Sequence, residues 1–98
     1  MTHFREARRV VMPDEPILRE KARAAIRSGK LPARRSDRMF GGPGSGQRCA
    51  VCGEPLPREE VEIELEFNQR DGLDQYHLHH RCYAAWEFEL AKDGTAHS

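Results

Sequence analysis

The sequence lacks any long apolar run, and this absence excludes a helix that spans a membrane. Such a helix needs roughly 20 consecutive apolar residues, whereas only 38% of this 98-residue chain is hydrophobic and 33% is charged. The first dozen residues also lack the apolar stretch found in secretory signal peptides. We therefore expect a soluble cytoplasmic protein with one small domain and a small core.

Cysteine is scarce as well, which argues against a disulfide framework. The chain has three cysteines, an odd number that cannot pair completely within one molecule. In a reducing compartment, clustered cysteines with histidines nearby are more typical of a metal site. A bound metal would also supply stability that so short and polar a chain cannot gain from apolar burial alone.

A formal net charge of zero hides an uneven distribution of charge along the chain. Residues 1–48 contain twelve Lys/Arg and five Asp/Glu, which is a net charge of +7. Residues 49–98 contain four Lys/Arg and eleven Asp/Glu, which is a net charge of −7. This asymmetry predicts either a basic arm for an anionic partner or two halves that attract each other.

The first half of the chain contains one predicted helix between two irregular segments. Residues 1–13 are a basic tail without sustained periodicity. Residues 14–29 have apolar positions at three- and four-residue spacing, with Asp14 as the N-cap and Gly29 as the C-terminal cap, and predict a short amphipathic helix. Residues 30–48 are basic and then glycine-rich, and they lack the ending of a phosphate-binding loop, so we expect a flexible linker.

Two pairs of metal-binding side chains follow this linker. Cys49-Ala-Val-Cys52-Gly53 has the form of a zinc knuckle, in which a turn directs both sulfurs towards one ion and Gly53 permits a positive φ. His79 and Cys82 would share one face of a helix that begins near residue 79. Together these side chains make the Cys3His donor set of a structural site. The sequence therefore predicts one structural Zn²⁺ bound by Cys49, Cys52, His79 and Cys82.

The spacer between the two pairs has the pattern of a β-hairpin. From Val61 to Phe67, apolar and acidic residues alternate without a break, which indicates a strand with one buried face and one solvated face. Residues 68–72 are a turn cluster, and a second strand is predicted from about Leu73 to Leu78.

A second helix is predicted to complete the zinc-binding domain, which spans residues 49–92. The helix would run from His79 to about Ala91, and Trp86 would cover the hairpin and shield the metal. The remaining residues, 93–98, are expected to be a short C-terminal tail.

This order of elements resembles the treble-clef zinc finger: a cysteine knuckle comes first, a hairpin follows, and a helix supplies the last two ligands. The residues that carry the resemblance are CAVCG (49–53), YHLHHRC (76–82) and Trp86. The resemblance covers about residues 47–92 and extends to the first zinc half of LIM-type modules, although no second set of four ligands follows Cys82. It implies a small α+β scaffold stabilised by metal, a scaffold used for protein binding, nucleic-acid binding and, in a few branches, nuclease chemistry.

Three neighbouring histidines leave the fourth ligand open to alternatives. Helix geometry favours His79 as the ligand, with His77 as the next candidate and His80 as a further one. A nuclease of the treble-clef group would combine a hairpin histidine with a second ligand on the helix, where Glu87 and Glu89 are available. Their spacing matches no nuclease pattern, and four protein ligands leave a zinc ion no open coordination position. We therefore expect no enzymatic activity.

Two sets of charged residues are candidates for partner binding. Arginines of the basic half could contact nucleic-acid phosphates, but no aromatic residues are interleaved with them and no reading helix is recognisable. A protein partner, or the acidic hairpin of another molecule, would explain these arginines equally well. We expect a small adaptor or regulatory protein that acts through protein–protein contacts, with nucleic-acid binding as the alternative and a homo-oligomer also open. The basic candidates are Arg8, Arg9, Arg34, Arg35 and Arg38, and the acidic candidates are Glu62, Glu64 and Glu66.

Overall fold

Within residues 15–97, the fold is an α+β arrangement of two helices and one three-stranded antiparallel sheet, which confirms the predicted class. It is seen in a computed structural model that describes the backbone of residues 15–97 and the side chains of residues 15–92. The predicted basic tail, with Arg8 and Arg9, lies outside the described residues. The elements follow in the order α1 (Glu15–Arg27), β1 (Arg38–Pro43), β2 (Val61–Gln69), β3 (Gly72–His79) and α2 (His80–His97).

The helix α1 lies where the amphipathic helix was predicted and packs against α2. Leu18, Ala22 and Ala25 form its buried stripe, whereas the neighbouring Ile17 is 47% exposed. Gly29 takes a φ of +83° just beyond the last turn, a conformation that glycine adopts without strain, and the helix ends there. A 13-residue helix is marginal alone, so this packing against α2 stabilises α1.

Charged side chains reinforce the contact between the two helices. The guanidinium of Arg19 lies over the ring of Phe88, 4.1 Å from its centroid. Arg23 Nη1 and Lys92 Nζ lie 3.4 and 3.6 Å from Glu89 Oε1, and Glu89 is buried. A buried carboxylate is tolerated when it is paired in this way, so Glu89 helps to fix α1 on α2.

The hairpin β2–β3 follows the predicted alternation on its inner face. Ile63, Leu65 and Phe67 are buried, and Leu65 lies opposite Tyr76 of β3. The ring of Phe67 meets those of Tyr76 and Trp86 edge-on, with centroids 5.5 and 6.3 Å apart. Trp86 belongs to α2, so this residue covers the hairpin as the sequence predicts.

The strand β1 lies inside the segment that was predicted to be a linker. It pairs antiparallel with β2 and places Met39 opposite Leu65 at the edge of the sheet. All six of its residues are exposed, and it contains two glycines and a proline, so no apolar alternation marks it in the sequence. Backbone pairing with β2 forms this strand, and the prediction of a flexible linker is wrong for Arg38–Pro43.

The helix α2 begins one residue later and ends later than predicted. His79 is the last residue of β3, and the helix continues past Ala91, so the predicted tail at 93–98 is helical through His97. Within residues 15–97, neither helix combines the length and the apolar character needed to cross a membrane. The inner face of α2 consists of Cys82, Ala85, Trp86, Glu89 and Leu90.

Candidate metal centre

The first two candidate ligands lie on a tight turn closed by an isolated antiparallel bridge. Cys49 N donates a hydrogen bond to Glu54 O at 2.9 Å, and Gly53 N donates to Cys49 O at 2.9 Å. Gly53 takes a φ of +82°, as predicted for the residue after the second cysteine. These bonds return the chain on itself and bring Cys52 close to Cys49.

The other two candidate ligands lie at the junction of β3 and α2. His79 is the last residue of the strand, and Cys82 is in the first turn of the helix. Both were predicted to lie on one face of a helix, whereas His79 ends the strand and only Cys82 belongs to the helix. Ala50 N donates to His77 O at 2.8 Å, so the turn of the first two ligands is attached directly to β3.

The four side chains converge on one point. Their ligand atoms all lie within 4.8 Å of one another. The sulfurs of Cys52 and Cys82 lie 3.4 and 3.8 Å from His79 Nδ1. Zinc bonds of about 2.3 Å to sulfur and about 2.0 Å to nitrogen in a tetrahedron place such atoms about 3.5 Å apart. Cys49, Cys52, His79 and Cys82 therefore lie close enough to hold one metal ion.

The ring of His79 is oriented by a hydrogen bond on the side away from the sulfurs. Its Nε2 lies 3.0 Å from Pro55 O, a carbonyl that can only accept, so Nε2 carries the proton. In a neutral imidazole, Nδ1 then presents its lone pair towards the cysteines. Histidine ligands of metals are commonly oriented by this kind of bond.

The sulfurs occupy a protected environment. Cys49 and Cys82 are each 2% exposed, and Cys52 is half-buried. Val51 N points at Cys49 Sγ at 3.3 Å, and a donor of this kind favours negative charge on the sulfur.

Without a metal, the three thiols compete for one negative charge. A hydrogen bond from Cys82 lowers the pKa of Cys49 to about 4, whereas the same bond and burial raise the pKa of Cys82. Burial also raises the pKa of Cys52. A bound cation ends this competition because a coordinating thiol loses its proton outright. The donor set and its electrostatics therefore fit a cation.

The two neighbouring histidines stay outside the cluster. His80 is exposed on the first turn of α2. The Nδ1 of His77 contacts Oε2 of Glu62, and Oε1 of the same carboxylate accepts a hydrogen bond from Ser45 N at 2.7 Å. Burial alone would raise the pKa of Glu62, but the hydrogen bonds from Ser45 and His77 lower it.

The acidic face of β2 is less solvated than predicted. Glu62 lies on the predicted face but is only 6% exposed, so the prediction that this residue is solvated is wrong. Its two hydrogen-bond partners offset the cost of burying a carboxylate. Glu64 and Glu66 are half-buried, and within residues 15–97 the side chain of Glu64 has no hydrogen-bonding or ionic partner.

The basic candidates within the described residues each lie beside a carboxylate of the same chain. Two of these pairs, those of Arg35 and Arg38, join the basic half of the sequence to the acidic half within one molecule, which is one of the two arrangements that the charge asymmetry predicts. These pairs are exposed on the arginine side and each contributes little to stability. They are Arg34–Asp37 at 3.4 Å, Arg35–Glu87 at 3.1 Å and Arg38–Glu66 at 3.9 Å.

Comparisons of the chain with protein-family models, with curated proteins and with solved structures find no match. Sequence reasoning missed the acceptor at Pro55, because a backbone carbonyl leaves no mark in a sequence. It also missed the pairing of Glu62 with His77, for which the signal was a histidine on the opposing strand.

Proposed function

We propose that the chain is a zinc-stabilised binding module of the treble-clef type, without enzymatic activity, that acts through protein–protein contacts. The observation that carries this proposal is the convergence of three sulfurs and one imidazole nitrogen within 4.8 Å. Thiolates and imidazole in a four-membered set are the donors that structural zinc prefers. Three free cysteines suit a reducing compartment such as the cytoplasm.

The order of the elements supports the treble-clef assignment. A cysteine turn comes first, the hairpin β2–β3 follows, and the last two ligands come where β3 meets α2. The edge strand β1 is an addition to the arrangement that the sequence resembles. This strand widens the sheet and leaves the order of the candidate ligands along the chain unchanged.

We propose the absence of enzymatic activity because the groups that could catalyse a reaction already have other roles in the fold. Four protein donors complete a tetrahedral zinc site and leave no position for a substrate or a reacting water. The helix glutamates that a nuclease would need are already engaged in the fold. Glu87 accepts a hydrogen bond from Tyr83 Oη at 3.1 Å and pairs with Arg35, and Glu89 is buried beside Arg23.

Metal analysis of histidine variants tests the assignment of the fourth ligand. We expect one equivalent of zinc in the wild-type chain, and His79→Ala should lower zinc affinity by at least about 100-fold because it removes a direct ligand. The matched control His80→Ala removes an exposed side chain one residue away and should keep the full equivalent. Zinc content by mass spectrometry and competition with a chromophoric chelator provide the measurement. Less than half an equivalent in the wild type, or equal affinities of the two variants, would contradict the site.

Nucleic-acid binding is the alternative function, and the ion pairs of Arg34, Arg35 and Arg38 make it the less supported one. We expect the zinc-loaded full chain to show no saturable binding to generic duplex DNA or single-stranded RNA up to about 100 µM at low salt. Fluorescence anisotropy of labelled oligonucleotides measures this. Affinity that falls steeply with added salt and is lost in Arg34→Ala/Arg35→Ala would favour the alternative.

A further inference from the structure

The outer edge of β1 is unpaired. The strand is at one end of the sheet order β1-β2-β3, and Met39 and Phe40 are 50% and 46% exposed. Within residues 15–97, β1 pairs only with β2, and neither helix packs against it. An unpaired edge of this kind presents backbone donors and acceptors that another strand can use.

The hydrogen bonds beside β1 show which backbone groups face outward. Gly44 N donates to Glu60 O at 2.9 Å, just beyond the end of the ladder. In an antiparallel pair, hydrogen-bonded and non-hydrogen-bonded residues alternate, so the even-numbered residues of β1 bond to β2. The N–H and C=O groups of Met39 and Gly41 consequently point away from the sheet. Pro43 also directs its nitrogen outward, where its missing N–H breaks no bond to β2.

We propose that β1 pairs antiparallel with β1 of a second copy of this chain, about a two-fold axis at Phe40, so that the two sheets become continuous. In this register Phe40 faces the partner's Phe40 and Met39 faces the partner's Gly41. Met39 and the partner's Gly41 exchange both of their backbone hydrogen bonds, and the two-fold axis repeats the exchange. All outward-facing groups of these two residues are then satisfied.

The side chains of β1 complement those of a second copy in size. The large side chains of Arg38 and Met39 face the partner's Gly42 and Gly41, which leave room for them. Phe40 forms a non-hydrogen-bonded pair with itself, the position at which opposing side chains come closest and an aromatic pair is favourable.

The neighbouring register centred on Gly41 is poorer. It would place Met39 opposite the partner's Pro43, which has no N–H to donate. Both registers form four backbone bonds, but the one centred on Phe40 satisfies Met39 and Gly41 fully and pairs the two phenyl rings, so it is favoured.

Charge also favours a second copy as the occupant. Gly42 pairs with Glu62 and Phe40 pairs with Glu64, both on β2. Arg38 lies 3.9 Å from Glu66 of its own chain, and across the partner's Gly42 its guanidinium would also approach the partner's acidic face, where Glu64 has no partner within the described residues. Self-association uses only β1 and does not depend on which protein the module binds.

Sedimentation of the full zinc-loaded chain tests the pairing. We expect a monomer–dimer equilibrium, and Gly41→Pro should raise the dimer dissociation constant by about 100-fold, because it removes one outward donor from each copy without removing a bond to β2. The matched control Gly41→Ala keeps the N–H, and its added Cβ would meet Ile63 of its own chain only at 4.0 Å, so it adds one methyl group opposite Met39 and should weaken the dimer far less than Gly41→Pro does. A wild type that stays monomeric at about 100 µM, or a Gly41→Pro dimer as tight as the wild type, would overturn the proposal.

Oxidative cross-linking tests the register and needs no proline variant. Phe40→Cys places two thiols opposite each other on the two-fold axis, so the zinc-loaded variant should form a disulfide-linked dimer. Arg38→Cys faces the partner's Gly42 and should cross-link at least about ten times more slowly, because its thiol has no opposing thiol. Equal rates for the two variants, or no cross-linked dimer from Phe40→Cys, would rule out this register.

Discussion

Removal of the metal with a strong chelator is expected to unfold residues 49–92 and to release α1. Cys49 and Cys82 belong to the same buried cluster as Leu56 and Trp86, so two of the candidate ligands are part of the core itself. Structural zinc contributes on the order of 10–16 kcal/mol of apparent binding free energy in small fingers, whereas whole domains are stable by roughly 5–15 kcal/mol. Removal of the zinc would therefore cost as much free energy as a whole domain of this kind has to lose.

The measurement compares far-UV circular dichroism and NMR amide dispersion before chelation, after it and after zinc is restored. Cys82→Ser and Cys49→Ser should reproduce the unfolded spectrum in the presence of zinc. Serine nearly matches cysteine in size, so the loss would report coordination and not packing. A metal-free chain that keeps native dispersion would show that the apolar core alone maintains the fold.

The approach of Cys49 and Cys52 to each other could be predicted because it depends on residues that are close in sequence. The turn from Cys49 to Cys52 is local, and Gly53 has the positive φ that the pattern requires. His79 was predicted from helix geometry, whereas it lies at the end of the strand β3. Its place depends on where β3 ends and α2 begins, and a junction between two elements is set by tertiary packing that periodicity does not reveal.

The strand β1 and the burial of Glu62 could not be predicted for a related reason. Periodicity detects side-chain burial, and β1 has none, because its six residues are exposed and backbone pairing alone defines it. Alternation placed Glu62 on the polar face correctly but could not show that Ser45 and His77 enclose it there. Both errors come from the same segment, since the chain that forms β1 continues into the loop that covers Glu62.

Substitution of one glycine in that segment, Gly44→Ala, is expected to destabilise the zinc-loaded chain by about 3 kcal/mol or more. A Cβ at this position would lie 1.8 Å from Pro57 O and 2.6 Å from Leu56 O. Both are backbone atoms, so no side-chain rotation relieves the clash and the chain itself must move. Movement would break the hydrogen bond of Gly44 N with Glu60 O and that of Ser45 N with the buried Glu62. Urea denaturation followed by circular dichroism measures the change.

Gly42→Ala is the matched control, because it adds the same methyl group two residues away in the same segment. A Cβ at Gly42 would meet nothing within 4 Å, so its stability should stay within about 1 kcal/mol of the wild type. Both variants reduce the freedom of the unfolded chain equally, so the difference between them isolates the close approach at Gly44. Equal effects would mean that this loop is as mobile as a linker, and that Glu62 is not enclosed by it. A large difference between the two changes in unfolding free energy would show that the loop packs against the segment before β2 through Gly44.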